Sequence, residues 1–511
     1  MRKSIIFVLI FFFFSNIFFL YKAYKNKTFP YYELGYLYRK LDREFKKIFI
    51  GEEKFSSSII ETSYSETKSN NQGIKKLDTA LLPILVETVN IDDFVKFAKK
   101  GGAITFADDR LILLDRLGNI FSYKDDKVIK ENLKVPNNLE NFILNYKGKN
   151  IKFTYDSLRS YSIAYDEKRS RLFFSYTKFI EKNIIKLKVS SVEYDFDKQK
   201  ITSAWTDHFE TENLFELADV SQGGGGKIKI VGDFLYITVG YSYEKNINDN
   251  FYSSAHDLNS FTGKLIRVNL KNNKIQILSS GHRNSQGIAI LKNTTILSTE
   301  HGPQGGDEIN EIIEGNDYGF PFKSFGTQYG KYINAGKKNN EKKFIDPIYF
   351  FTPSIGITSI EEITDFHDKW KNNLLVGSLK SRTLFRGTYD GKKILSFEPI
   401  WIGERIRDIS FLKNKIYLLT DSSKIKILSV DDLQLKIGER YNSLGKGGLY
   451  VSLDPNLNKC VSCHSFSSSN PTSVAPSLKN IFNRVIGSDN FKNYSSALIE
   501  KSKKNIKWNK K

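Results

Sequence analysis

The sequence predicts a mainly β chain built on a six-bladed β-propeller with a small second domain after it, and three observations carry that expectation. Short apolar runs rich in β-branched and aromatic residues begin after Gly101 and end on Gly, Asn or Asp. They recur at about fifty-residue spacing, as radially repeated units do. Convincing amphipathic helices are few over the same stretch. A β-sandwich is the alternative reading of the same pattern.

The runs are Leu111 to Leu114, Leu172 to Tyr176, Phe234 to Val239, Thr295 to Thr299, Leu374 to Ser378 and Lys415 to Thr420. Most are followed by a second strand-like run, as at Asn119 to Tyr123, Lys264 to Val268 and Thr383 to Arg386. A chain of 511 residues exceeds one ordinary domain. The expected divisions are 1–22, a signal anchor or signal peptide; 23–95, a partly helical tether; 96–432, the propeller; and 433–511, the second domain.

The N-terminus reads Met1-Arg2-Lys3 and then a nearly unbroken apolar run from Ile5 to Tyr21. Such a run fits a marginal bilayer span or a signal-peptide core. No small-x-small cleavage pattern follows; Lys22, Lys25 and Lys27 come next, with aromatics at Phe29, Tyr31 and Tyr32. That favours an uncleaved membrane anchor. Leu34 to Phe49 is a charged, helix-like stretch, and Ser56 to Gly73 is Ser/Thr/Asn-rich, as a spacer would be.

The net charge is +20, yet the lysines are scattered among Asn and Ile rather than gathered into a stripe. That distribution argues against nucleic acid and leaves attraction to an anionic membrane surface or an acidic redox partner. Only two cysteines occur, both within Cys460-Val461-Ser462-Cys463-His464, so no disulfide framework exists elsewhere. Two thiols spaced to add to the vinyl groups of haem, with an imidazole directly after the second, are the requirements for covalent haem c. Cys460 and Cys463 are therefore the expected haem attachment points and His464 the proximal iron ligand. A zinc site would need further ligands, and no third cysteine or later histidine is present. Thiol attachment of haem belongs to an exported compartment, which places the chain on the periplasmic side of the inner membrane.

The surroundings resemble class I cytochrome c from about Gly438 to Trp508. Gly447 to Tyr450 precedes the motif as that family's short N-terminal helix does, Ala475-Pro476-Ser477-Leu478 is similar to its proximal loop, and Ile481 to Arg484, Gly487 and Tyr494 to Leu498 to the segments beyond. The resemblance implies a small all-α domain. The family's usual methionine ligand has no counterpart, since Met1 is the only methionine. The expectation is a C-terminally truncated cytochrome domain, or iron that is five-coordinate or bound by another side chain.

Gly281-His282-Arg283-Asn284-Ser285-Gln286-Gly287, then Ser298 to Glu308 and Asn316 to Pro321, are far richer in polar motifs than ordinary strand ends. Here the chain resembles the soluble quinoprotein glucose/sorbosone dehydrogenases from about Gly101 to Val430, a six-bladed family using pyrroloquinoline quinone (PQQ) and calcium. By that resemblance Arg283, Asn284 and Gln286 face the quinone, and Lys380, Arg405 and Arg407 hold its carboxylates, for which guanidinium forks are suited. Gly302 and Pro303 would turn carbonyls to calcium, and Glu308 and Tyr318 would mark a second, structural calcium. Oxidising a hydroxyl also needs a base and a group to orient it. The family places a histidine near Gln222 or Gly223 and an aspartate at Tyr241, and this chain has neither. Arg283 remains the one catalytic candidate, with His208 as a substitute base; His282 and His301 read as structural, and His256 and His367 as loop residues. Two functions follow from these readings. One is a tethered PQQ-dependent dehydrogenase of an aldose or alcohol that passes electrons to its haem and on to a redox protein or respiratory-chain acceptor. The other is a degenerate binding propeller fused to an electron-transfer cytochrome.

Overall fold

The computed structural model describes residues 67–68, 74–91, 101–139, 159–181, 184–212, 224–241, 254–327, 334, 336, 343–433, 435, 476–478, 481, 484–486 and 494–508. Two compact units divide the chain: 1–75 with 86–429, and 76–85 with 430–511.

The first unit is a six-bladed propeller. Blade 1 runs outward as Ala103–Ala107, Arg110–Leu114, Asn119–Lys124 and Lys127–Lys134. Blade 2 is Ser160–Asp166, Arg171–Glu181, Ile184–Val192 and Thr206–Glu210, and blade 3 is Gly225–Val231, Phe234–Val239, Lys264–Asn269 and Ile275–Ser280. Blade 4 comprises Ser285–Ile290, Ile296–Glu300, Asp307–Glu311 and Tyr349–Phe351; blade 5 comprises Ile357–Glu362, Leu374–Ser378, Thr383–Tyr389 and Ile394–Trp401. Blade 6 is Ile406–Leu412, Lys415–Thr420 and Lys424–Val430, with Pro83–Asn90 as its outer neighbour. The innermost strands touch in a closed cycle from blade 1 through blade 6 and back to blade 1.

Each of the six apolar runs is the second strand of a successive blade, and the packing explains why it is apolar throughout. In blade 1, Leu111 and Leu113 pack with Tyr417, Leu419, Ile425 and Ile427 of blade 6. The alternating Ile112 and Leu114 pack with Leu172, Phe174 and Tyr176 of blade 2. Both faces of the strand are thus covered, so no polar alternation is required. Phe173 and Val189 meet Ile228, Ile237 and Val268 between blades 2 and 3. Leu297 and Ile309 meet Ile357, Leu374 and Val376 between blades 4 and 5. At about 25 cal/mol per Å² these apolar interfaces are the main stabilising term.

Ile74–Asp78 and Pro83–Asn90 are strands within the stretch expected to be a tether. The apolar and β-branched composition of Pro83-Ile-Leu-Val-Glu-Thr-Val-Asn suits a strand paired on both sides, by Ile74–Asp78 and by Lys424–Val430, with its proline confined to the first position. In the second unit, Lys76 Nζ and Asp431 Oδ2 lie 2.7 Å apart, a short helix spans Ser496–Lys503, and Arg484 donates to the Ser477 carbonyl in the predicted proximal loop. Cys460, Cys463, His464 and residues 1–22 lie outside the described residues, as do Gln222 and Gly223. Among the described residues no helix is long and apolar enough to cross a membrane.

Candidate functional site

Six inner strands bring one residue or more from each blade to a cavity of about 30 Å³ on the propeller axis. Its walls are Gly102 from blade 1, Arg159, Ser160 and Tyr161 from blade 2, Gly225 and Lys227 from blade 3, Gln286 from blade 4, Thr358 from blade 5, and Arg407 and Asp408 from blade 6. All lie within the first three residues of their inner strands or one residue before them.

The wall is strongly cationic and closely wired. Lys227 Nζ lies 2.5 Å from Asp408 Oδ1, and both residues are buried. The other Asp408 oxygen accepts from the Ile104 backbone N–H at 3.1 Å. Arg407 and Arg405 share Asp421, Arg407 Nε at 2.5 Å and Arg405 Nε at 2.6 Å. Burial alone would raise the Asp421 carboxyl, but the Arg407 and Arg405 guanidinium groups prevail and hold it below its usual 3.8. Arg159 lies over the Tyr161 ring, 4.9 Å from its centroid, and donates to Gln286 Oε1 at 3.3 Å.

Tyr161 in turn lies against the glycine run. A Cβ on Gly226, whose φ is +84°, would lie 2.5 Å from Tyr161 Cγ, and one on Gly224 would collide with the Tyr161 hydroxyl. Glycine is required here by close approach as well as by backbone conformation.

Of the residues expected to cradle a quinone, Gln286 and Arg407 line the cavity. Asn284 stands behind them, its Oδ1 accepting from Gln286 Nε2 at 2.6 Å and from the Gly225 N–H at 3.3 Å. Arg405 is drawn to Asp421, and Lys380 is exposed and outside the cavity wall. Arg283 donates through Nη1 to the His301 and Gly302 carbonyls at 2.9 and 3.1 Å, while its buried Nε has no acceptor among the described residues. The guanidinium thus faces the very Gly302 carbonyl expected to face calcium, and a divalent ion at that oxygen requires Arg283 to withdraw. Pro303 is half-buried beside it.

Glu308 opposes Glu300 across blade 4. Burial, reinforced by the Glu300 carboxylate, pushes its carboxyl up to about 8, and Asn310 beside it has a buried Oδ1 without a donor. Those features suit a cation. Tyr318 does not add its hydroxyl to them: that group donates to the Glu311 carbonyl and accepts from the Ile313 N–H at 2.9 Å, and the ring stacks on His282.

The histidines are placed as follows. His208 lies on the outermost strand of blade 2, stacked on Phe173 at 4.8 Å with Nε2 2.8 Å from Ser191 Oγ. It is not part of the axial wall, which corrects its assignment as a substitute base: its strand is the outermost of blade 2, farthest from the axis. His282 is fully buried between Ser279 and Glu300, and His301 is fixed to the Ile357 carbonyl at 2.5 Å. His301 thus meets a backbone group, as expected, whereas the partners of His282 are side chains. His256 is more than a loop residue, since its Nδ1 lies 2.6 Å from Asp317 Oδ2, and His367 caps the short turn Asp368–Trp370. Tyr241, read in the sequence at the position of the family's aspartate, is buried with its ring edge-on to Phe320.

Arg159, Tyr161, Lys227, Asp408 and Asp421 were not foreseen as site residues. Only Asp408, adjoining Arg407 in sequence, carried a local signal.

A family model described as Glucose / Sorbosone dehydrogenase matches residues 102–429. The chain belongs to the glucose/sorbosone dehydrogenase family. The aldose sugar dehydrogenase YliI of Escherichia coli (strain K12) is 28% identical over 226 residues, 40% of this chain and 59% of that protein. The quinoprotein glucose dehydrogenase B of Acinetobacter calcoaceticus is 27% identical over 243 residues, 33% and 50% respectively. The chain spans about half the length of these curated relatives. Among solved structures, the soluble aldose sugar dehydrogenase of Escherichia coli in its apo-form superposes with a TM-score of 0.53 at 21% identity, covering 68% of this chain and 99% of that one. A crystal structure of a glucose dehydrogenase gives 0.54 at 21% identity, covering 67% and 99%. These likenesses agree with the six-bladed fold.

The donor set fits a carboxylate-bearing ligand. Three cations, Arg159, Lys227 and Arg407, face one small cavity with a single carboxylate, Asp408, on its wall, and the buried Arg283 Nε still has a hydrogen to donate.

Proposed function

We propose that this family member binds PQQ at the mouth of the axial cavity and oxidises a hydroxyl of an aldose or related alcohol. The gathering of Arg159, Lys227 and Arg407 around one cavity that Gln286 also lines carries this reading, because a tricarboxylate needs that density of donors. Arg407 and Arg405 would hold carboxylates, Arg283 and Asn284 would orient the ring, and the Gly302 and Pro303 carbonyls would take calcium once Arg283 turned away. Bound there, PQQ would supply the two-electron acceptor.

On the same proposal, Cys460 and Cys463 hold haem c, His464 binds its iron, and the haem receives the electrons before a redox protein or respiratory-chain acceptor does. Residues 1–22 would tether the chain at the periplasmic side of the inner membrane. Reconstituting the full chain with PQQ and calcium and following haem reduction with a panel of aldoses and alcohols tests the reading. Substrate-dependent reduction supports it; no reduction with any of them overturns it. A pyridine haemochrome spectrum tests the haem, and a Cys463→Ser variant that kept normal covalent haem would contradict its assignment.

A specific observation favours a second reading, a propeller that binds ligand without turnover. Tyr241, which by the sequence resemblance replaces the family's aspartate, is buried, and by the same resemblance the family's histidine has no counterpart at Gln222 or Gly223. PQQ binding with unreduced haem in the same experiment is the result that reading expects.

A further inference from the structure

We propose that the end of the propeller axis opposite the cationic cavity carries a second ligand site, one that takes a neutral saccharide. The proposal stands apart from the PQQ reading, because the two sites share no residue. The cavity draws on the first residues of the inner strands, and a cleft of about 520 Å³ draws on the last residues of four of them, those of blades 3 to 6. That volume falls within the roughly 300–1,000 Å³ of small-molecule sites. In blade 3, Lys227 lines the cavity, and the period-two pleat carries the same face on to Lys229 and Val231, which line the cleft. Asp408 and Ser410 of blade 6 divide in the same way.

The charges on the wall of the cleft cancel, Lys229 and Lys292 against Glu361 and Glu362. Lys229 Nζ lies 2.7 Å from Glu361 Oε2, and Glu362 Oε2 accepts from the Lys292 backbone N–H at 2.9 Å. An ion of either sign would meet a like charge for each opposite one, so the cleft does not select ions. A hydroxyl suits both members of the Lys229–Glu361 pair, since it donates to the carboxylate while accepting from the ammonium beside it. Apolar surface lines the same cleft: Val231 is 43% exposed, and Ile290 and Phe411 are half-buried. A wholly apolar ligand would cover the ion pair without replacing its water. A sugar ring answers both requirements, with C–H faces for Val231 and Phe411 and hydroxyls for Lys229 and Glu361.

Calorimetric titration of the full chain, without PQQ, against glucose and maltose tests the proposal, with gluconate and glucosamine as charged controls. Wild type is compared with Glu361→Gln, Phe411→Ala and Arg407→Gln, and thermal unfolding confirms that each variant folds. The expected result is saturable binding of a neutral sugar, weakened at least about ten-fold by Glu361→Gln and by Phe411→Ala and unchanged by Arg407→Gln at the other end of the axis. If either cleft variant does not fold, Val231→Glu, at an exposed position, puts an unbalanced charge in the cleft and should weaken binding as much. The proposal is overturned if neither neutral sugar binds saturably, if gluconate or glucosamine binds more tightly than both, or if binding survives the cleft substitutions unchanged. PQQ titrated with calcium into the same variants reads the other site separately, so either reading can fail without the other.

Discussion

Lys227 and Asp408 join the inner strands of blades 3 and 6, opposite members of the ring, with Nζ and Oδ1 2.5 Å apart. Removing either partner leaves a buried charge without its counter-ion. Asp408→Asn or Lys227→Met should each cost about 3–5 kcal/mol in denaturant unfolding. Lys227→Met combined with Asp408→Leu should recover much of that loss, and a purely additive double variant would show that the pair is not coupled.

Asp421 holds two arginines, so its charge has a pH signature. Its folded value lies below the usual 3.8; the stabilisation is therefore present above about pH 4 and lost as pH falls through the folded value. Asp421→Asn should lower stability at neutral pH and flatten the acid limb of a stability-against-pH curve. A limb that stays as steep would mean that other carboxylates carry it.

Gly226 and Tyr161 form a tight contact beside the cavity. Gly226→Ala should destabilise by about 2 kcal/mol or more, combining a strained positive φ with the clash. In a Tyr161→Ala background the penalty should shrink to the backbone part, about 1 kcal/mol. Equal penalties in the two backgrounds would contradict the contact.

His208 offers a second titration, of opposite sign to a cation that gains a partner. Burial, helped by Arg171, lowers it from 6.5 to about 4. The folded state thus favours the neutral ring, and its contribution is complete above pH 6.5 and falls away between pH 6.5 and 4. His208→Gln, which keeps a hydrogen-bonding group near Ser191, should remove that slope without changing ligand binding.

What could be read in the sequence follows from how local each feature is. The apolar second strands were legible because burial on both faces makes them continuous runs, as at Leu111 to Leu114 and Phe234 to Val239. The strand Pro83–Asn90 was not, because its partner on the blade, Lys424–Val430, lies more than 300 residues away, beyond any local pattern. Gln286 and Arg407 were recognisable within motifs, whereas Arg405 turned out to be shared with Arg407 on Asp421, a side chain the motif does not contain. Arg159 and Tyr161 carried no signal at all. They matter only because blade 2 stands beside the glycine run of blade 3, and His208 misled because a histidine near that run in sequence sits on the far edge of its blade.

The central claim is that the cationic mouth of the axis binds PQQ. Its most direct test is an equilibrium titration of PQQ with calcium into the purified full chain, repeated with Arg407→Gln. The account predicts saturable binding of one PQQ per chain, weakened at least about ten-fold by the substitution. An absence of saturable binding, or binding indifferent to the loss of Arg407, would contradict it.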